Sequence, residues 1–418
     1  MQSLFNYAIL ACIFTTGFLV SKIFVKTGLA TRVVIGFIKL SRGHILYLLL
    51  FLIGSSALLS SFIPNAITVL TLIPVLRIIS GQHVKVETKA GQLSTPIVLA
   101  VIYGSNIGGM ASIIGSPAHA VLLGFLPLLE RRYHTVILGK DRLNFFSWLS
   151  FGIPTAILLV LFSWVLIYLL LVPKKLKKTE LDFSLVELHS CPTRLRRVGM
   201  AASILILCTW VFISLVQTYF PGAGLVLTVL SICLGISFIW FIFFVKFKIP
   251  GGNSEVLLTL QDCYSGLPGR GIALAIGAAL FSGVLILLRV PEHFGDWFVG
   301  LEWIQIMHTR SYYTILAVIT TFATEFVSNT TVALTFFPVT YILSSSLGFN
   351  VLASLILVSL SSTCAFMSPI ATPVNALAFG SVKGVSLGKM MITGFLMNIV
   401  SSLWLSYSLV TIVSAVLY

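Results

Sequence analysis

Charge is what this sequence lacks. Only 9% of its 418 residues are Asp, Glu, Lys or Arg, and just 12 are acidic, whereas soluble domains carry about 25% charged residues. With 58% hydrophobic residues and a mean hydropathy of +1.06, the apolar surface exceeds what an aqueous core can hide and must face lipid. A soluble enzyme is excluded. The six cysteines, Cys12, Cys191, Cys208, Cys233, Cys263 and Cys364, show no CxxC spacing, so neither a disulfide framework nor a zinc site is predicted. No GxxxxGK[ST], HExxH or GxSxG motif and no paired-aspartate motif occurs, which argues against ATP coupling and intramembrane hydrolysis. The N-terminal run has no basic start and no small-residue cleavage pattern, so it is expected to stay as a transmembrane helix.

What the chain does have is apolar length. Spans need about 20 apolar residues, and runs of that kind fall near 4–24, 146–172, 199–220, 222–245, 271–290 and 390–416. Four other stretches are interrupted. Residues 44–78 and 312–343 break at Pro64-Asn65 and at Ser328-Asn329-Thr330, and each is read as a re-entrant hairpin. Residues 96–124 and 350–380 break at Gly115-Ser116-Pro117 and Ala371-Thr372-Pro373. There proline removes a backbone donor, so each is read as a discontinuous helix. Irregular backbone is tolerated at membrane depth only where protein or a water-filled cavity surrounds it. Four such breaks predict a binding site.

The net charge of +14 sits in short loops rather than in a basic domain with interleaved aromatics, so it reports topology and not nucleic-acid binding. Eight crossings and two hairpins that do not cross place both termini outside, with 20 Lys and Arg inside and 6 outside. The longest polar stretch, 173–198, holds seven of those cations and is read as a cytoplasmic linker. It separates a first half, 1–172, from a second, 199–418. The aromatic run ISFIWFIFFVKF reads as a lipid-facing helix with an interfacial Trp. WFVGLEWIQIMHTR, from Trp297, reads as an interfacial amphipathic helix.

The halves repeat. An offset of 264 residues sets IPNAITVLTLIPVL over VSNTTVALTFFPVT, matching Asn65 with Asn329, Thr71 with Thr335 and Pro74 with Pro338, and placing Ser60 on Thr324. An offset of 256 sets GSPAHAVLLG over ATPVNALAFG, matching Pro117 with Pro373, Ala120 with Ala376 and Gly124 with Gly380. The topology orients the copies oppositely. Inverted repeats with paired broken helices mark secondary transporters with a midplane site. The fold class predicted is therefore an all-α polytopic membrane protein of two inverted repeats.

At these residues the sequence resembles the divalent anion:sodium symporter (DASS) family. TEFVSNTTVALTFFP and SPIATPVNALAFG resemble the family's second hairpin and following helix break, and SSFIPNAITVLTLIP with YGSNIGGMASIIGSPAHA resembles the first pair more loosely. The resemblance covers residues 45–125 and 315–400. It implies an elevator-type transporter, with a homodimer held by a scaffold, in the bacterial inner (plasma) membrane. The chain starts about one helix later than the family pattern.

The resemblance implies one sodium site at Ser60, Pro64, Asn65 and Gly115, another at Thr324, Val327, Asn329 and Ala371, and a small divalent anion near Asn65, Ala66, Asn329 and Thr330. Ser116, Pro117, Thr372 and Pro373 would close the cavity. Sodium is the co-transported ion, and no organic cofactor is expected. A C4-dicarboxylate is favoured over sulfate, with a citrate-like anion also open. The chemistry is sound in itself, since hard cations take oxygen ligands and helix N-termini suit anions.

Two departures stand out. Pro64-Asn65-Ala66 replaces Ser-Asn-Thr, and His119 stands where Asn375 stands in the other copy. They leave open a sodium-independent exchanger or a proton-coupled carrier on the same fold. His119 is either proton-sensitive or a neutral packing residue. Glu325 is either functional, as intramembrane carboxylates usually are, or a cap for hairpin amides. Thr331 and Thr335 read as helix-packing hydroxyls.

Overall fold

A computed structural model describes residues 2–81, 87–177, 192–248, 254–264, scattered positions between 280 and 300, and 307–417. The expected span at 271–290, the amphipathic stretch from Trp297 and the middle of the basic linker fall largely outside these residues.

The described chain is helical apart from a small antiparallel ribbon. Its helices are α1 (Gln2–Lys26), α2 (Leu29–Leu40), α3 (Ile45–Ser60), α4 (Asn65–Gly81), α5 (Glu87–Ala111), α6 (Pro117–Tyr133), α7 (Phe145–Leu171), α8 (Thr193–Tyr219) and α9 (Gly224–Phe244). The ribbon pairs β1 (Lys246–Lys248) with β2 (Ser254–Val256). Then come α10 (Leu260–Tyr264), α11 (Thr309–Ala323), α12 (Asn329–Ser346), α13 (Val351–Ser361), α14 (Pro373–Ser381), α15 (Leu387–Trp404) and, after a π-turn, α16 (Val410–Leu417).

Among the described residues five helical segments are long and apolar enough to cross a membrane: Leu93–Ala111, Phe145–Leu171, Thr193–Tyr219, Gly224–Phe244 and Leu387–Leu417. They divide by burial. The segment in α5 is wholly enclosed, whereas the other four are only about a third buried and turn Leu, Ile, Val and Phe outward, as lipid-facing helices must. The α5 segment can be central because its glycines let other backbones approach. A Cβ on Gly108 would collide with the backbone of Ala57 in α3, and one on Gly104 with that of Ile53. Gly152 of α7 fits likewise against Met110 and Ala111, and Trp148 Nε1 donates to Met110 O at 3.1 Å. The start of α7 is fixed by a capping box in which Asn144 Oδ1 accepts from Ser147 N at 2.9 Å and Ser147 Oγ accepts from Asn144 N at 2.8 Å.

The helices form two packed groups. In one, α1 lies against α8 and α9, held by Trp210 Nε1 donating to Thr16 Oγ1 at 2.7 Å. The ribbon and α10 close one end, where Lys26 Nζ bonds Asp262 Oδ2 at 2.8 Å and Arg194 donates to Lys248 O at 3.5 Å. The other group holds α3 to α7 and α11 to α16. Its two halves interlock crosswise, with α4 packing on α14 and α6 on α12, the latter through Phe125 with Phe337 and stacked Tyr133 with Tyr341. Helix α2 was not anticipated from the sequence. Left-handed Gly28 (φ 64°) separates it from α1, and it buries Leu29, Ala30, Val34, Ile35 and Ile38 beside α3 and α4.

Candidate functional site

The four expected interruptions are helix ends. Helix α3 stops at Ser60 and α4 starts at Asn65; α5 stops at Ala111 and α6 starts at Pro117; α11 stops at Ala323 and α12 starts at Asn329. The last gap, between Ser361 of α13 and Pro373 of α14, is longer than the three-residue break expected. Each gap joins a helix C-terminus, with unpaired carbonyls suited to a cation, to a helix N-terminus, with unpaired amides suited to an anion. The N-termini are partly capped. Ser116 Oγ accepts from Ala118 N at 3.4 Å, Ser328 Oγ from Thr331 N at 3.3 Å and Thr372 Oγ1 from Asn375 N at 3.1 Å. The hydroxyls of Ser116 and Thr372 therefore cap helices and are buried, while Pro117 and Pro373 are exposed.

In the first tip Ser60 Oγ donates to Asn65 Oδ1 at 2.6 Å, and Ser105 Oγ from α5 donates to Asn65 O at 3.2 Å. Gly115 comes close enough that an added Cβ would lie 3.0 Å from Ser60 O, and one on Gly109 would lie 2.7 Å from Asn65 Oδ1. Ser60, Asn65 and Gly115 are thus brought together, with Pro64 and Ala66 half-buried beside them. Ser112 Oγ donates to Ser61 O and ties the break to the tip.

The second tip has the same construction. Thr324 Oγ1 lies 2.8 Å from Asn329 Oδ1 and 2.8 Å from Ser362 O. Its single proton serves one of these at a time. Ala371 is buried, and Asn329 and Thr330 are half-buried. Val327 turns its side chain outward, so only its backbone is placed to contribute. The Thr331 hydroxyl lies 2.7 Å from Oγ of Ser328, the residue that caps the same helix.

Glu325 is buried, and its acceptors are filled. Oε1 accepts from Phe366 N at 2.6 Å, Met367 N at 2.9 Å and Asn398 Nδ2 at 2.8 Å, and Oε2 accepts from Ser368 N at 2.9 Å. It does cap amides, but they belong to the second break and not to its own hairpin. None of the residues at the four breaks is basic.

His119 and Asn375 occupy matching places. Asn375 Nδ2 donates back across its break to Ser368 O at 2.8 Å and to Ala365 O at 3.0 Å, and His119 Nδ1 lies 3.1 Å from Ser112 O. A carbonyl only accepts, so Nδ1 carries a proton. Nε2 is buried with no hydrogen-bond partner, and the imidazole and Trp148 ring centroids lie 4.5 Å apart.

Asn106, Ser105, Ser112 and Asn398 were not singled out from the sequence. The available signal was a Ser-Asn pair inside an apolar helix, since buried polar residues at membrane depth are rarely idle. Asn106 Nδ2 donates to Ala365 O at 2.7 Å and to Asn375 Oδ1 at 3.2 Å. Asn106 Oδ1 and Asn398 Oδ1 are buried without a protein donor. The five described cysteines are free, and no cluster of three His, Cys, Asp or Glu occurs among the described residues.

Comparison with known proteins bears on this arrangement. The profile of CitMHS, described as citrate transporter, matches residues 3–307. The sodium-dependent dicarboxylate transporter SdcS of Staphylococcus aureus is 27% identical over 411 residues, 94% of this chain and 74% of that protein. SdcS of Staphylococcus saprophyticus is 27% identical over 405 residues, 93% and 73% respectively. An uncharacterized transporter of Haemophilus influenzae is 25% identical over 376 residues, 86% of this chain and 72% of that protein. An integral, multi-pass protein of the bacterial plasma membrane, the chain belongs to the citrate transporter family and, with its sodium-dependent dicarboxylate relatives, to the divalent anion:sodium symporter (DASS) transporters.

Proposed function

We propose that this transporter couples entry of a small divalent anion, a C4-dicarboxylate ahead of a citrate-like anion or sulfate, to sodium ions. The observation that carries this reading is the duplicated tip, Ser60 on Asn65 at 2.6 Å and Thr324 on Asn329 at 2.8 Å, each set among helix-end carbonyls. Oxygen-only surroundings suit sodium. The amide ends of α4, α6, α12 and α14 suit an anion. With no Lys or Arg at the breaks, a dianion at membrane depth takes its neutralising charge from bound cations. Relatives named as sodium-dependent dicarboxylate transporters support the same reading.

In this proposal one sodium ion binds at Ser60, Pro64, Asn65 and Gly115, and another at Thr324, Asn329, Ala371 and the backbone of Val327. The anion lies between Asn65, Ala66, Asn329 and Thr330, with Pro117 and Pro373 at its edge. Residues 1–172 and 199–418 form inverted repeats around the linker 173–198. The two hairpins with the broken helices are the moving body of an elevator, and α1, α8 and α9 belong to a scaffold that pairs two copies. The crosswise packing of α4 on α14 and α6 on α12 supports a single moving unit. Lys26, Arg194 and Lys248 at one end support a cytoplasmic face there.

A sodium-independent exchanger or proton-coupled carrier is the second reading, favoured by the hydroxyls lost at Pro64 and Ala66. Uptake of labelled succinate, citrate and sulfate into proteoliposomes, under an inward sodium gradient against an equal potassium gradient, tests both. Sodium-dependent uptake that Asn329→Ala abolishes supports symport. Uptake indifferent to sodium and driven by internal anion or by pH supports the alternative.

A further inference from the structure

The two halves are alike inside and unlike outside. Their tips carry matching internal bonds, yet equivalent apolar side chains around those tips are covered in the first half and bare in the second. Under the 264-residue offset Phe62 and Ile63 match Phe326 and Val327, and under the 256-residue offset Ile114 matches Ile370. Ile63 is 0% exposed, and Phe62 and Ile114 are half-buried. Phe326 is 82%, Val327 44% and Ile370 81% exposed.

A cover for Ile114 is visible. It sits over Gly17 of α1, where an added Cβ would stand 2.9 Å from Ile114 Cδ1 and 3.7 Å from its Cγ2. Glycine leaves that notch open without any shift of the Ile114 side chain. Gly17 belongs to the group of α1, α8 and α9, for the adjacent Thr16 is bonded to Trp210 of α8 and Cys12 lies against Gly235 of α9. Ile114 belongs to the other group, within the first break. The contact therefore crosses between the two bodies, beside the proposed first sodium site.

We propose that Gly17 and Ile114 form a latch, which seats the first break on α1 in one conformation of the transport cycle and parts in the other. As it parts, Ile370 and Phe326 gain cover while Ile114 loses it. The inference rests on the alternating movement proposed above, but on neither the identity of the anion nor that of the driving ion.

A cross-link tests it. The Cβ position at Gly17 lies 3.8 Å from Ile114 Cβ, a typical Cβ separation for a disulfide, and Ile114→Cys removes the Cδ1 atom that would crowd the new side chain. The full chain carrying Gly17→Cys and Ile114→Cys is oxidised in proteoliposomes, with each single variant as control. A disulfide is expected only in the double variant. Succinate uptake is expected to fall at least tenfold on oxidation and to return with dithiothreitol. Failure to form the disulfide, or cross-linked protein that transports as fast as reduced protein, overturns the latch.

If the unmodified protein takes up no succinate, the dicarboxylate reading fails and the latch is judged by labelling. Ile370→Cys is added to the double variant, and an impermeant maleimide is applied after cross-linking. The thiol introduced at position 370 is expected to react faster in cross-linked than in reduced protein, and equal rates overturn the proposal.

Discussion

Asn106 donates from Nδ2 to Asn375 Oδ1 at 3.2 Å while both side chains donate to the same carbonyl, Ala365 O, at 2.7 and 3.0 Å. A residue near the C-terminal end of α5 thus stitches the first half to the second break. Asn106→Leu keeps the branched shape and removes the donor, leaving Ala365 O one bond short. A cost of about 1–2 kcal/mol is expected, the range for a buried hydrogen bond lost, read as a lower melting temperature in detergent. An unchanged melting temperature and unchanged uptake would remove Asn106 from the site.

The paired hydroxyls should matter equally. Ser60 and Thr324 each orient an Asn carboxamide, at 2.6 and 2.8 Å. Ser60→Ala and Thr324→Val release that orientation at about 1 kcal/mol each, roughly a fivefold weakening of ion affinity. Sodium half-saturation of uptake is expected to rise in both variants. A rise in neither would separate these hydroxyls from coupling.

Much of this could be seen in the chain beforehand. Pro64-Asn65, Ser328-Asn329 and the two small-residue-Pro breaks announce themselves because polar residues and proline interrupt apolar runs, and helices do end there. Helix α2 escaped notice because 12 residues carrying Arg32 and Lys39 look like a loop to a search for spans. Asn106, Ser112 and Asn398 act through partners up to 269 residues away, and no local pattern encodes that distance. The role of Glu325 was half visible. Its burial follows from an apolar setting, but that its acceptors would meet the amides of 366–368 depends on how α11 packs beside the second break.

The imidazole of His119 does in the first half what the carboxamide of Asn375 does in the second, bonding back to the residue seven places earlier. His119→Asn preserves a donor and is expected to retain at least half of wild-type uptake. His119→Leu fills the space beside Trp148 without a donor and leaves Ser112 O with only the Gly115 amide, at 3.2 Å, so uptake is expected to fall about tenfold, as one buried hydrogen bond allows. Full activity in the Leu variant would show that the break needs no clip.

Outside the membrane, Lys26 and Asp262 tie α1 to α10. Burial works against the Asp262 charge, but hydrogen bonds from Lys26 and Thr259 outweigh it and hold the carboxyl below its ordinary value. The stabilisation is therefore present above the ordinary carboxylate range and lost as pH falls through the lowered value. Because the pair is partly solvated, Asp262→Asn should cost no more than about 1 kcal/mol near neutral pH. The difference in melting temperature between the two proteins should shrink in acid, and a difference constant with pH would contradict the ion pair.

Glu325 offers the sharpest test of the second site, because four donors converge on one carboxylate between 2.6 and 2.9 Å. An anion accepts all four. In Glu325→Gln one oxygen becomes an NH2 group, so a donor faces a donor either at Ser368 N or at the cluster of Phe366, Met367 and Asn398. The remaining bonds fall from charge-assisted to neutral strength, a loss of about 1 kcal/mol for each. The break should loosen, lowering the melting temperature. The removed negative charge lies one residue from Thr324, so sodium half-saturation should rise about tenfold or more. Glu325→Asp keeps the charge but draws the carboxylate back by one methylene, and is expected to fall between the wild type and the Gln variant in sodium dependence. If Glu325→Gln matches the wild type in both melting temperature and sodium dependence, the carboxylate neither holds the break nor serves the cation, and the second site must be drawn without it.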